Sequence, residues 1–266
     1  MRIVQLTDLH VDATETHPGG VDTWGNLRWA LDQAAAIAPD LIVVSGDICL
    51  HAGNQETYQR VAREFAAMPL DVLFLPGNHD DRSLFHAAFG RRYRIDRNSG
   101  ASHGPSGHGR LDRSVEIDGT PMLLIDSSAG ELSPAQLAWL DALLDSQGRA
   151  ARRGSATPLL PVWIHHPVLT GFHAFMDASY PLSNADAVRD VLLRHSADLR
   201  IALFCGHYHC EDSRSLGTLS QWTSPSLYRQ LDATSTEPSI TDSGPGFRIV
   251  SLGDDGDVET AVVYRR

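Results

Sequence analysis

The sequence predicts an α/β fold in which two packed sheets carry helices on their outer faces. Three observations lead there. Short apolar runs rich in Val, Ile and Leu alternate with amphipathic helical patterns, as in parallel βα units. The C-terminal part, residues 216–266, reads as strands and turns without helices between them, which adds antiparallel strands. Five polar clusters each follow directly on an expected strand, and strand ends in α/β sheets are where ligands gather.

Taken in order, residues 3–6 form a first strand that runs into Thr7-Asp8. Residues 24–37 form a helix with Leu27, Leu31 and Ala34 on one face and Pro39 just past its end. Residues 41–44 are a buried strand closing on Ser45-Gly46-Asp47, and residues 55–68 are helical. Residues 72–75 form a strand broken by Pro76-Gly77, followed by a short helix over 83–89. Residues 90–110, rich in Gly, Ser, Arg and His, read as a mobile loop. Residues 114–117 and 122–125 pair as a hairpin about Asp118-Gly119. Ser133-Pro134 opens a helix through Leu144, with Ser as N-cap and Pro at the first helical position. A strand over 159–164, a helix over 184–195 and a strand over 201–204 follow, and 247–252 and 258–264 are the last strands. No internal repeat or long linker interrupts this pattern, so residues 1–266 read as a single domain.

Composition narrows the function. Among 266 residues, 42% are hydrophobic and 21% charged, an ordinary globular balance. The formal net charge of -11 would repel a phosphate backbone, which argues against a nucleic-acid partner. All 22 basic residues are Arg; with no Lys, Schiff-base chemistry and the lysine-bearing phosphate loop are excluded. Cys49, Cys205 and Cys210 make no CxxC pair or disulfide framework, and the N-terminus shows no secretory pattern. No run approaches a membrane span. The expectation is a soluble cytoplasmic protein without a membrane partner. The 13 His stand out.

The five clusters are Asp8-x-His10, Gly46-Asp47, Gly77-Asn78-His79-Asp80, His165-His166-Pro167 and Gly206-His207-Tyr208-His209. Carboxylate, amide oxygen and imidazole suit Mn, Fe, Zn or Co, and no thiolate set for structural zinc is present. Asp8, His10, Asp47, Asn78, His165, His207 and His209 are too many ligands for one tetrahedral ion. Two metal ions sharing a carboxylate fit better, and such pairs clamp a phosphoryl group for in-line attack.

This series, D-x-H, GD, GNH[DE], H and GHxH in order, resembles the calcineurin-like metallophosphoesterases over residues 8–209. Val44-Ser45-Gly46-Asp47-Ile48, Pro76-Gly77-Asn78-His79-Asp80-Asp81, Ile125-Asp126-Ser127, His165-His166-Pro167 and Phe204-Cys205-Gly206-His207 resemble its bacterial class III cyclic nucleotide phosphodiesterase and glycerophosphodiesterase branch. Met176-Asp177 resembles the glycerophosphodiesterase subgroup. The resemblance implies a four-layer α/β/β/α sandwich. It implies that Asp8, His10 and His209 bind one metal, that Asn78, His165 and His207 bind a second, and that Asp47 bridges them. A metal-held hydroxide would attack phosphorus, with His79 beside the leaving oxygen, held by Asp80 or another carboxylate. The substrate would be a small soluble phosphodiester, a cyclic nucleotide such as cAMP or a glycerophosphodiester, and the chain would form a homo-oligomer, a dimer or larger.

One departure bears on His79. Many relatives place a second Asp three residues after the GD aspartate; here that residue is Leu50, followed by His51, so the protein-phosphatase pattern GDxxDRG is absent. His166 reads as a core or supporting residue rather than a ligand, and Tyr208 as pointing away from the metals. His173, between His165 and Met176-Asp177, is a weaker candidate for substrate contact alongside His79 and Asn78. Arg91, Arg92, Arg94 and Arg97 read as a solvated face. A phosphomonoesterase or nucleotide phosphatase on the same metal core is the alternative activity. A noncatalytic scaffold of this fold is the alternative of another class.

Overall fold

The computed structural model describes residues 1–14, 17–89, 102–103, 111–152 and 157–266. Apart from Ser102–His103, the loop expected over 90–110, with its arginines Arg91, Arg92, Arg94 and Arg97, lies outside the described residues.

The first sheet is built from β1 (Arg2–Leu6), β2 (Leu41–Ser45) and β3 (Asp71–Leu75), joined by helices α1 (Thr23–Ile37) and α2 (Gln55–Ala66) and followed by α3 (Arg82–Phe89). The second is built from β4 (Ser102–His103), β5 (Arg113–Ile117), β6 (Thr120–Ile125), β7 (Leu159–Ile164), β8 (Arg200–Cys205), β9 (Asp212–Leu216) and β10 (Leu219–Thr223). Helices α4 (Pro134–Ala151), α5 (Ala174–Ser179) and α6 (Ala185–Arg194) lie between its strands in sequence. The chain then returns to the first sheet as β11 (Gly246–Leu252) and β12 (Val258–Tyr264). The orders are β12-β11-β1-β2-β3 and β4-β5-β6-β7-β8-β10-β9. β1, β2 and β3 are parallel, as are β6, β7, β8 and β10, while β11, β12, β5 and β9 pair antiparallel at the flanks.

Alternation along the strands makes four layers. Ile3, Leu41, Val43, Leu73 and Leu75 of the first sheet pack against Met122, Leu124, Trp163, Ala202 and Phe204 of the second. Their neighbours Val4, Leu6, Ile42, Val44, Val72 and Phe74 face α1 and α2, with Trp24, Leu27, Leu31, Val61 and Phe65. Leu123, Ile125, Val162, Ile164, Ile201 and Leu203 face α4 and α6, with Leu140, Leu144, Val188 and Leu192. Period-2 strands between helical stripes therefore give the α/β/β/α sandwich.

A polar bridge crosses the apolar seam between the sheets. Gln5 of β1 donates from Nε2 to Ser45 Oγ at 2.8 Å and to the Cys205 carbonyl of β8 at 3.1 Å, and its Oε1 accepts from Ser224 Oγ at 2.6 Å. Buried Arg248 of β11 donates in turn to Ser224 Oγ at 2.9 Å and to the Thr223 carbonyl at 2.8 Å. Every polar atom of the Gln5 side chain is thereby satisfied, as burial demands.

Three elements differ from the sequence reading. α4 continues past Leu144 to Ala151, started by a full capping box in which Ser133 and Gln136 satisfy each other's backbone N–H groups. α5 is a short helix in a stretch that carries no apolar period. β9 begins at Asp212, ahead of the expected tail, because its polar alternation suits an edge strand.

Phe204 is fully buried, stacked on Trp163 at 4.4 Å and on Trp222 at 5.3 Å between ring centroids. Phe204→Ala should cost about 3–5 kcal/mol of stability, because it opens a cavity between the sheets. Urea unfolding of the variant against the parent checks this.

Candidate metal centre

The candidate ligands come from the carboxyl ends of β1, β2 and β3 in one sheet and β7 and β8 in the other. Backbone hydrogen bonds zip these ends together. Asp8 N donates to the Gly46 carbonyl at 3.0 Å and His10 N to the Asp47 carbonyl at 3.1 Å. Gly206 N donates to the His165 carbonyl at 3.0 Å. The sheets are joined here as well: His207 N donates to the Asp8 carboxylate at 3.0 Å, and His165 Nδ1 to the Ser45 carbonyl at 2.9 Å.

Space is tight enough to dictate residue types. Gly46 has φ +110, and a Cβ there would overlap the His165 ring; a Cβ on Gly206 would overlap Thr7 and the Asp8 carboxylate. Asp8, His10, Asp47, His207 and His209 all have positive φ, between 43 and 67. Left-handed non-glycine residues carry strain, and its concentration here turns side chains off the strand direction toward one point.

Two carboxylates define that point. Asp8 and Asp47 are buried. Asp8 Oδ1 lies 3.3 Å from His209 Nε2 and 3.9 Å from His165 Nε2. Asp47 Oδ2 lies 3.3 Å from His165 Nε2 and 3.8 Å from His10 Nε2. Three groups with ligand atoms within 4.8 Å of one another result among the described residues: Asp8–His10–His209, His10–Asp47–His79 and Asp47–His165–His207. Asn78 is exposed on the turn between Gly77 and His79, whose backbone N–H donates to Asp47 Oδ1 at 2.9 Å.

The imidazoles are oriented by backbone carbonyls. A carbonyl only accepts, so the ring nitrogen facing it carries hydrogen and the other nitrogen of a neutral ring carries a lone pair. His165 Nδ1 is committed to Ser45, His209 Nδ1 to the Arg229 carbonyl at 3.0 Å, and His207 Nε2 to the Tyr180 carbonyl at 2.9 Å. The remaining nitrogens are His165 Nε2, His209 Nε2 and His207 Nδ1.

This donor set fits a metal. His165 Nε2 and His10 Nδ1 are buried without a hydrogen-bond partner. His10 Nε2 and His209 Nε2 stand only 3.1 Å apart, beside two carboxylates. Lone pairs and anions converging without enough protons are stabilised by a cation between them.

Charges in the metal-free site follow the same geometry. Burial alone would raise the Asp8 carboxyl, but His209 and His165 outweigh it and hold Asp8 down at about 2. Burial works against charged His165, yet Asp47 and Asp8 outweigh it and lift this imidazole to about 9. Burial, helped by a neighbouring imidazole, holds His10 near 3 and His207 near 4.

Several sequence expectations meet a different arrangement. The partner of His79 is a carbonyl: His79 Nδ1 donates to Leu50 O at 2.8 Å. Asp80 instead ties loops together, accepting from Gly77 N at 2.9 Å, from Ile48 N and Cys49 N at 3.2 Å each, and from the Tyr58 hydroxyl at 3.0 Å. Burial, with Asp47 nearby, raises its carboxyl to about 6 against those backbone donors. His173, expected to touch substrate, is 1% exposed and caps α5 by accepting the Met176 N–H. A buried cap offers substrate no open face. His166 joins none of the metal groups found among the described residues; its Nδ1 pairs with Ser127 Oγ at 2.9 Å and its ring centroid lies 4.1 Å from that of His207, tilted by 44°. Cys205 and Cys210 are buried, and burial pushes both thiols up. The carbonyls of Ser45, Leu50, Tyr180 and Arg229 had no signal in the sequence, because any residue supplies one.

The chain belongs to the calcineurin-like phosphoesterase family, which matches residues 1–211. Among relatives, it is 30% identical to "3′,5′-cyclic adenosine monophosphate phosphodiesterase CpdA" of Pseudomonas aeruginosa, over 98% of this chain and 88% of that one. It is 30% identical to "Glycerophosphodiester phosphodiesterase GpdQ" of Enterobacter lignolyticus, over 64% of this chain and 56% of that one. A dimetal phosphatase from Danio rerio shares the fold, with a TM-score of 0.62 at 17% identity, covering 99% of this chain and 98% of that one.

The His165–Asp47 pair sets a pH dependence. An imidazole raised to about 9 when folded, against 6.5 unfolded, contributes stability that is full below 6.5 and lost as pH rises through 9. Metal-free protein should therefore melt at a lower temperature at pH 9.5 than at pH 6.5. Saturating Mn or Zn should raise the melting temperature and flatten this dependence, because the ion replaces the proton. Differential scanning calorimetry with and without chelator checks both.

Proposed function

We propose that this chain is a dinuclear metal-dependent phosphodiesterase acting on small soluble phosphodiesters, cyclic nucleotides such as cAMP or glycerophosphodiesters. The observation that carries the reading is the place of Asp47. Its carboxylate belongs both to the group containing His10 and to the group containing His165 and His207, while Asp8 and His209 flank the first. In this reading Asp8, His10 and His209 hold one ion, Asn78, His165 and His207 hold the other, and Asp47 is shared. Mn, Fe, Zn and Co all suit such a set. When bound, the ions supply positive charge against the phosphoryl oxygens and make a water acidic enough to attack at neutral pH.

The protein's own part is positioning and proton transfer. The His79 backbone N–H on Asp47 fixes the turn, and the Leu50 carbonyl on Nδ1 fixes the ring. That leaves Nε2 as the atom that meets the leaving oxygen, and it is from the imidazolium form, protonated on both nitrogens, that Nε2–H hands that oxygen a proton and leaves the ring neutral with Nδ1–H still on Leu50. Asn78, beside it in sequence, is exposed, which leaves its amide open to substrate or metal. The names of the CpdA and GpdQ relatives favour diesters over monoesters. No described helix is long and apolar enough to cross a membrane, and a reducing cytoplasm suits the three free cysteines.

Metal-reconstituted protein should hydrolyse bis-p-nitrophenyl phosphate faster than p-nitrophenyl phosphate, and should turn over cAMP or a glycerophosphodiester. A preference for the monoester would transfer the assignment to a phosphatase. Asp47→Ala should lower turnover about 1000-fold, the loss expected when several kcal/mol of metal stabilisation disappear. Full activity in that variant would overturn the mechanism. His79→Ala should cost about 100-fold or more with metal content unchanged, read by elemental analysis of the same sample.

A further inference from the structure

Tyr208 lies between His207 and His209 in sequence and is fully buried. Its hydroxyl donates to Asp177 Oδ1 at 2.9 Å. Asp177 is itself held: its Oδ2 accepts the backbone N–H groups of Gly171 at 3.0 Å and of Phe172 and His173 at 2.8 Å each. The same excursion of chain ends at Tyr180, whose carbonyl accepts His207 Nε2–H at 2.9 Å. On the other side, the His209 carbonyl accepts Leu231 N–H at 2.8 Å. The His207-Tyr208-His209 unit is therefore clamped from outside, through a tyrosine hydroxyl and a carboxylate that touch no candidate ligand atom.

The clamp has something to hold. His207 and His209 both have left-handed backbone, at φ 67 and 49. A strained turn of this kind persists only where its surroundings over-determine it. Packing of the Tyr208 ring against Phe172, at 5.2 Å between centroids, would be served equally by phenylalanine. The hydroxyl and its fixed acceptor are what distinguish this position. We infer that Tyr208 and Asp177 are positioning residues for the metal centre: they set the spacing of His207 and His209, and thereby couple the affinities of the two ion sites.

This inference rests on the metal-binding reading above, and the test separates the two. Co(II) is titrated into the full-length chain by calorimetry, and its visible absorption is recorded. Tyr208→Phe, which removes one oxygen, should weaken cobalt binding about tenfold or more, in line with the loss of a group that orients ligands. It should also shift the cobalt absorption band, while the metal-free melting temperature stays close to that of the parent. Asp177→Ala should produce the same loss, and the double variant no further loss, because the two act as one unit. Unchanged affinity and spectrum in Tyr208→Phe would overturn the inference. So would a lower metal-free melting temperature with an unaltered cobalt spectrum, which would make the bond structural only. A parent chain that takes up no cobalt would instead overturn the metal-binding reading itself.

Discussion

Burying Asp8 and Asp47 side by side at the seam of two sheets is the constraint that organises this molecule. Two desolvated carboxylates so close to one another are costly unless opposite charge or hydrogen-bond donors meet them. Protein groups meet part of the need. Thr7 Oγ1 and His207 N donate to Asp8, His79 N donates to Asp47, and His165 is charged between them in the absence of metal. Yet His10 and His207 are held neutral by burial, so neither of these imidazoles offsets the two carboxylates. A cation is the natural completion, and the family to which the chain belongs is one of phosphoesterases.

The sandwich architecture is what makes that burial possible. Either sheet alone would present its strand ends on an open edge, with ligands from one side only. Docking through Trp163, Phe204 and the first sheet's inner residues brings two sets of strand ends together. Gln5 of β1, satisfied at once by Ser45 of β2, the Cys205 carbonyl of β8 and Ser224, fixes their relative position a few residues below the carboxylates. The left-handed turns at Asp8, His10, Asp47, His207 and His209 then convert strand direction into convergence.

The strand–helix alternation and the five clusters were legible because each rests on a local pattern. A buried parallel strand must be apolar, and a metal-binding turn in a chain without a thiolate set must carry carboxylate, amide or imidazole. What escaped had no such pattern. α5 is six residues long and stands on the bonds its Asp177 accepts from Tyr208 and from the backbone of Gly171, Phe172 and His173, and on Ala174 N donating to the Ala233 carbonyl, rather than on an apolar stripe. β9 is a polar edge strand. The roles of Leu50, Tyr180 and Arg229 belong to their carbonyls, which every residue has, so only the folded chain shows which ones face a ring. His173 illustrates the converse: its type and its place between motifs suggested substrate contact, and only burial revealed a helix cap.

The carbonyl beneath His79 has a physical logic of its own. A carboxylate at the position of Leu50 would also orient the ring, but it would add another anion to a neighbourhood that already buries Asp47 and Asp80. Like charges in a desolvated pocket push one another toward protonation, and Asp80 is already raised to about 6 by burial and by Asp47. A neutral acceptor fixes the direction of Nε2 without that penalty. It also leaves the Asp80 carboxylate free to hold Gly77, Ile48, Cys49 and Tyr58, and so to keep the turn bearing Asn78 and His79 against Asp47. Orientation of the ring and closure of the loops are thus divided between a backbone group and a side chain.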